Sequence, residues 1–205
     1  MSESEKLLPA AVEAPPNKPY ERREYIITFC AILILVGIYF SQDEPQALQV
    51  PLKAEPFSLS GTQFNFIYFI TNIPVVVFSV IGGIVIDRIG VKKAGVIFSL
   101  GVLLAQSVVT FSLYWKTSDF YDSEPEMWYI VMLVGRGLFG ICSENFHIIQ
   151  AAILSVIVPP EHISMVLGLC LSVPLLFTSL NSLVSTEVYA ALGSPDKTYV
   201  PFLLG

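Results

Sequence analysis

The sequence predicts an all-helical membrane protein with five complete spans and the start of a sixth. Of its 205 residues, 54% are apolar and only 14% are charged, against about 25% charged in an ordinary soluble domain. The mean hydropathy is +0.67. The apolar residues fall into five separate runs, each long enough for a helix to cross about 30 Å of hydrocarbon, which takes roughly 20 residues. This composition excludes a disordered acidic chain, whose mark is low hydrophobicity with high charge. Eleven basic residues against seventeen acidic ones leave a net charge of -6, which argues against a nucleic-acid partner. Cys30, Cys142 and Cys170 each lie inside an apolar run, where a free thiol acts as a small hydrophobe. No Asn-x-Ser/Thr sequon is present, so N-glycosylation is not expected.

Residues 1–24 are polar and hold Pro9, Pro15, Pro16 and Pro19. They read as a disordered cytoplasmic tail without the charged start, short apolar core and cleavage site of a signal peptide. The membrane unit is residues 25–205. Its spans are placed at 25–41, 64–86, 93–115, 127–157 and 163–192. The last two exceed the length required, so they should tilt or project. Internal Gly and Pro do not veto these helices, because neighbouring helices can satisfy freed backbone groups. Tyr199–Gly205 begins another apolar run, too short at seven residues to cross. Lys6, Lys18, Arg22, Arg23, Arg88, Lys92 and Lys93 fall on one side, against Lys53, Lys116 and Lys197 on the other. The positive-inside rule then places the N-terminus in the cytoplasm. The acidic 116–126 loop falls on the lumenal or extracellular side.

The fourth span carries a polar stripe. Positions 136, 140, 143, 144, 147 and 150 follow the 3.6-residue period and share a face, which should look into the bundle or a water-filled cavity. Glu144 lies about two residues from the centre of its run, roughly 3 Å along the axis. A carboxyl at that depth costs on the order of 3 kcal/mol to insert, which makes it the candidate for binding a cation, an ammonium group or a proton. Arg136 is eight residues earlier, about 12 Å away along the axis, too far to pair with Glu144 directly; it is the second candidate for substrate contact. His147 reads as a helix–helix contact. Asn65, Tyr68 and Asn72 form a weaker stripe on span two, suited to cavity lining or polar packing, and Glu187 is an interfacial charge. The sequence offers no phosphate loop, nucleophile–base pair or metal-ligand cluster. His147 and His162 lie fifteen residues apart. No catalysis, metal or cofactor is therefore expected.

Between spans two and three the chain reads Gly83-Ile-Val-Ile-Asp87-Arg88-Ile-Gly90-Val-Lys92-Lys93. This resembles the signature loop of the major facilitator superfamily, Gly-x-x-x-Asp-Arg-x-Gly-x-Arg/Lys. Gly83 is expected to let the second helix pack closely. Gly90 is expected to permit the tight turn. Arg88, Lys92 and Lys93 would hold the loop in the cytoplasm, and Asp87 would cap or pair at a helix end. The resemblance implies the N-terminal half of a facilitator bundle, in which this acidic residue helps lock one conformation against the other half.

Further segments narrow the resemblance: Tyr39-Phe40 with Asp43-Glu44-Pro45 and Ala47-Leu48-Gln49, Gly135-Arg136 with Phe139-Gly140-Ile141, Ser143-Glu144, Gln150, Gly168-Leu169, Leu171-Ser172 and Asn181. Together they are similar to the lysosomal dipeptide carriers of the superfamily. That resemblance implies a small-molecule substrate moved across the bilayer by alternating access, with Glu144 in the peptide cavity. It also implies a glycosylated single-span accessory protein. The span-five arginine of that branch is Leu175 here, and its Asp-Asn-Pro is Asp43-Glu44-Pro45. Glu3-Ser-Glu-Lys-Leu7-Leu8 matches the acidic dileucine signal read by sorting adaptors on lysosomal membrane proteins. Two alternatives stay open: a carrier of another solute, such as an organic anion or a sugar, and a truncated membrane protein that interacts without transporting.

Overall fold

The structure is a computed structural model that describes residues 22–118, 126–192 and 197–203. Every element among them is helical: α1 (Arg22–Ala47), α2 (Gln49–Lys53), α3 (Gly61–Ile89), α4 (Val91–Thr117), α5 (Met127–Ile157), α6 (Pro160–Leu192) and a 3-10 turn at Pro201–Leu203. The five long helices are each long and apolar enough to cross a membrane, and they coincide with the five predicted spans. Several run further than expected. α1 is described from Arg22 and continues to Ala47, six residues past the predicted end. The extension carries Glu44 into the bundle, where it is fully buried. The dileucine residues Glu3, Leu7 and Leu8 lie outside the described residues.

Local signals set the boundaries. Ser60 caps α3 through a reciprocal box: its Oγ accepts from the Gln63 N–H at 3.2 Å, and the Gln63 side chain accepts from the Ser60 N–H at 3.0 Å. Gly90 separates α3 from α4 in one residue with φ +85, a conformation that favours glycine. Tyr199 does not open an α-helix within the described residues. Pro201–Leu203 forms a 3-10 turn instead, and its Phe202 is buried. The Phe202 carbonyl accepts from Gln106 Nε2 and Thr110 Oγ1 of α4, both at 3.2 Å.

α5 packs most closely on α4 and α3, and α1 packs most closely on α6. The close approaches depend on small residues, as is usual where helices meet without a water-driven force. A β-carbon on Gly140 would run into the Thr71 carbonyl of α3, and one on Gly82 would run into the Asn145 side chain. On the opposite face of α5, Gly135 sits against the α4 backbone at Ala105 and Val109. The sequence reading assigned close packing to Gly83. The structure corrects this to Gly82, because Gly83 is rotated one position round the helix and has open space where a side chain would lie. One end of the bundle is closed by an apolar cluster of Leu48, Leu52, Phe57, Phe64, Leu113 and Trp128 with their neighbours. The opposite end carries the Gly90 turn.

Candidate functional site

α1 is a helix whose carbonyls are served by donors from its neighbours. Pro45 has no N–H, so the Ser41 carbonyl four residues back lacks its intrahelical partner. Arg136 of α5 fills the gap. Its Nη1 donates to the Ser41 carbonyl at 3.1 Å and its Nη2 to the Gln42 carbonyl at 2.7 Å. Its guanidinium carbon also lies 5.2 Å from the Phe139 ring centroid. Gln150 Nε2 donates to the Ala31 carbonyl at 2.8 Å, and Asn181 Nδ2 of α6 to the Phe40 carbonyl at 2.7 Å. Gln106 Nε2 of α4 donates to Glu44 Oε2 at 2.8 Å. Burying such groups costs free energy unless they are paired; each of these donors finds an acceptor on α1, while Glu44 Oε1, Gln106 Oε1 and Arg136 Nε are left without a partner.

The polar stripe of α5 therefore divides. Its ends, Arg136 and Gln150, hold the α1 backbone. Its middle lines a cavity of about 130 Å³ with walls from α1 (Tyr39, Gln42), α3 (Thr71, Asn72, Val75) and α5 (Gly140, Ser143, Glu144, His147). Glu144 is half-buried there. The Tyr39 and His147 rings meet edge-on, with centroids 5.6 Å apart and planes at 82°. Asn72 is tied to the Tyr68 carbonyl at 2.8 Å. Arg136 is not brought to this cavity beside Glu144; it holds the Gln42 backbone, whose side chain is part of the wall. Of the span-two stripe, only Asn72 reaches the cavity. Asn65 is exposed, and Tyr68 packs against the apolar cluster at the Trp128 end.

The signature-loop residues gather at the other end of the bundle. Asp87 and Arg88 are exposed on the last turn of α3, and Gly90 makes the turn. Lys92 stands at the rim of a larger groove, about 550 Å³, between α1, α4 and α5. That groove is apolar apart from Lys92, Ser99 and Gln150, and the Gln150 amide is already engaged with Ala31. Polar groups from three helices converge on the smaller cavity, whereas the larger groove is mostly apolar. Sequence reasoning did not identify Gln42, Thr71 or Tyr39 as cavity residues. They lie on two other helices, and nothing local marks which face of each turns toward α5. Among the described residues no group of His, Cys, Asp and Glu could hold a metal ion.

Comparison with known proteins gives a concordant result. The profile of the Major Facilitator Superfamily matches residues 24–204. The lysosomal dipeptide transporter MFSD1 of Bos taurus is 29% identical over 193 residues, covering 92% of this chain and 39% of that protein. The protein of the same name from Danio rerio is 29% identical, covering 93% and 38%. That from Mus musculus is 31% identical over 163 residues, covering 77% and 32%. The chain thus spans about two fifths, or less, of the length of the curated relatives it matches. No solved structure matches.

Proposed function

Because the chain belongs to the Major Facilitator Superfamily, we propose that it supplies the N-terminal half of a secondary carrier for dipeptides or similar small solutes bearing an ammonium group. The observation that carries this reading is the half-buried Glu144 in a polar cavity walled by α1, α3 and α5. A carboxylate within an apolar bundle gains most from a partner of opposite charge, and a free α-ammonium group is such a partner. Substrate would bind there and the two halves would rock about it to alternate access. The names of the relatives support dipeptides and the lysosome for this chain. A second reading, a carrier of a neutral polyol or sugar, is favoured by the hydrogen-bonding wall of Gln42, Thr71, Asn72 and Ser143. Leu175 points the same way, standing where the resemblance leads one to look for an arginine. Thermal stabilisation in detergent separates the two. Alanyl-alanine should raise the unfolding temperature and N-acetyl-alanyl-alanine should not. Equal stabilisation by both, or stabilisation by sugars alone, would remove the ammonium-binding reading.

The same reading puts the N-terminus in the cytoplasm and the protein in the lysosomal membrane, with the Glu3–Leu7–Leu8 signal available to a sorting adaptor and a glycosylated single-span protein as accessory. Replacing Leu7 and Leu8 together by Ala should move the protein from lysosomes to the cell surface. Unchanged colocalisation with a lysosomal marker would leave the dileucine pattern without a sorting role.

A further inference from the structure

His147 is the cavity residue that the proposed function leaves unused. It lies three residues after Glu144 on the same face of α5, so the two Cβ atoms are about 5–6 Å apart, and both line the cavity. The edge contact with Tyr39 fixes the plane of its ring. The titratable and charged groups that face it are few. They are Glu144 on its own helix and Tyr39 on α1, with Asp43 one turn beyond Tyr39. α3 contributes only the neutral Thr71, Asn72 and Val75. Among the lining residues His147 is also the one that can carry a positive charge, and imidazole does so within the physiological pH range.

We propose that His147 is the carboxylate-binding group of this cavity: as imidazolium it holds the anionic end of a zwitterion whose ammonium end rests on Glu144. This builds on the ammonium reading of Glu144 and narrows the substrate class. Two side chains of opposite charge whose Cβ atoms are about 5–6 Å apart can meet the two ends of a short zwitterion, such as a dipeptide. The proton on His147 then becomes part of the binding equilibrium. The competent, protonated form becomes scarcer as pH rises. Affinity for the zwitterion falls with it. Loading is favoured on an acidic side and release on a neutral one.

The test uses the 205-residue chain in detergent with alanyl-alanine and alanyl-alaninamide as probes. Alanyl-alanine should bind more tightly at pH 5.5 than at pH 7.5, whereas the amide, which keeps the ammonium and lacks the carboxylate, should show little change. His147→Gln should abolish the pH dependence for alanyl-alanine and leave the amide unaffected, and His147→Arg should restore tight binding without pH dependence. The same pH dependence for acid and amide, or a pH dependence that survives His147→Gln, would overturn the proposal. A second readout does not depend on dipeptide binding. The protein has two histidines, so a His162→Gln variant assigns the ring signals in a nitrogen-labelled sample. Acetate should perturb the His147 signal at pH 5.5 and not at pH 7.5; no perturbation at pH 5.5 would overturn the proposal. If acetate acts but no dipeptide binds, the dipeptide reading falls and the anion site on His147 stands.

Discussion

Gly140→Val is expected to prise α3 away from α5 and to destabilise the bundle more than any other single side-chain addition in the cavity wall. The atom in the way is the Thr71 carbonyl oxygen, part of a helix backbone, so no rotamer change can clear it. Overpacking of this kind costs about 1–3 kcal/mol when side chains can shift, and a backbone obstacle places the cost at the upper end or above. Function should suffer further, because Thr71 and Gly140 both line the cavity. Gly83→Val is the matched control. It adds the same group to α3 at a position with nothing within 4 Å and should change stability by less than about 0.5 kcal/mol. Unfolding of the two variants in mixed micelles with increasing denaturing detergent measures both. Equal stability would mean that α3 and α5 do not meet at this glycine.

Glu144→Gln, made in a polypeptide as long as the curated relatives, is expected to lower dipeptide affinity by about ten- to hundredfold while leaving the fold intact. The change preserves size and hydrogen-bonding capacity and removes only the charge. An ammonium–carboxylate contact that becomes ammonium–amide loses the charge-assisted part, roughly 1.5–3 kcal/mol, which converts to that range of affinity. Ligand-induced thermal stabilisation of wild type and variant reads the difference. Unaltered affinity would make Glu144 a packing residue, for which Gln is an adequate substitute. The two variants report on separate properties: Gly140→Val lowers stability with or without ligand, and Glu144→Gln changes only the response to ligand.

The number of spans, their approximate limits and the amphipathic face of α5 were legible because each is local. A run of apolar residues has a length whatever it packs against, and a polar stripe at helical spacing declares its face. The Gly90 turn was legible for the same reason, since a loop of only a few residues between two spans needs a tight turn; that the break is a single residue is shown by the structure. Residue spacing also singled out Glu144, a charge near the middle of a hydrophobic run.

What the stripe is for was decided only by the tertiary structure. Arg136, Glu144 and Gln150 look alike in sequence, polar positions on one face. The fold sends Arg136 to the carbonyl that Pro45 leaves without a donor, sends Gln150 to Ala31, and leaves Glu144 and His147 facing a cavity. Proline removes a hydrogen bond in one helix, but which residue restores it depends on the helix laid alongside, ninety-five positions away in the chain. The same holds for the choice of Gly82 over Gly83. Both are free of a side chain, and only the rotation of α3 against Asn145 determines which one is needed. Residue type and spacing thus determined which groups must be kept from lipid, and the packing of helices distant in sequence determined which of them are satisfied within the bundle and which remain free to meet a solute.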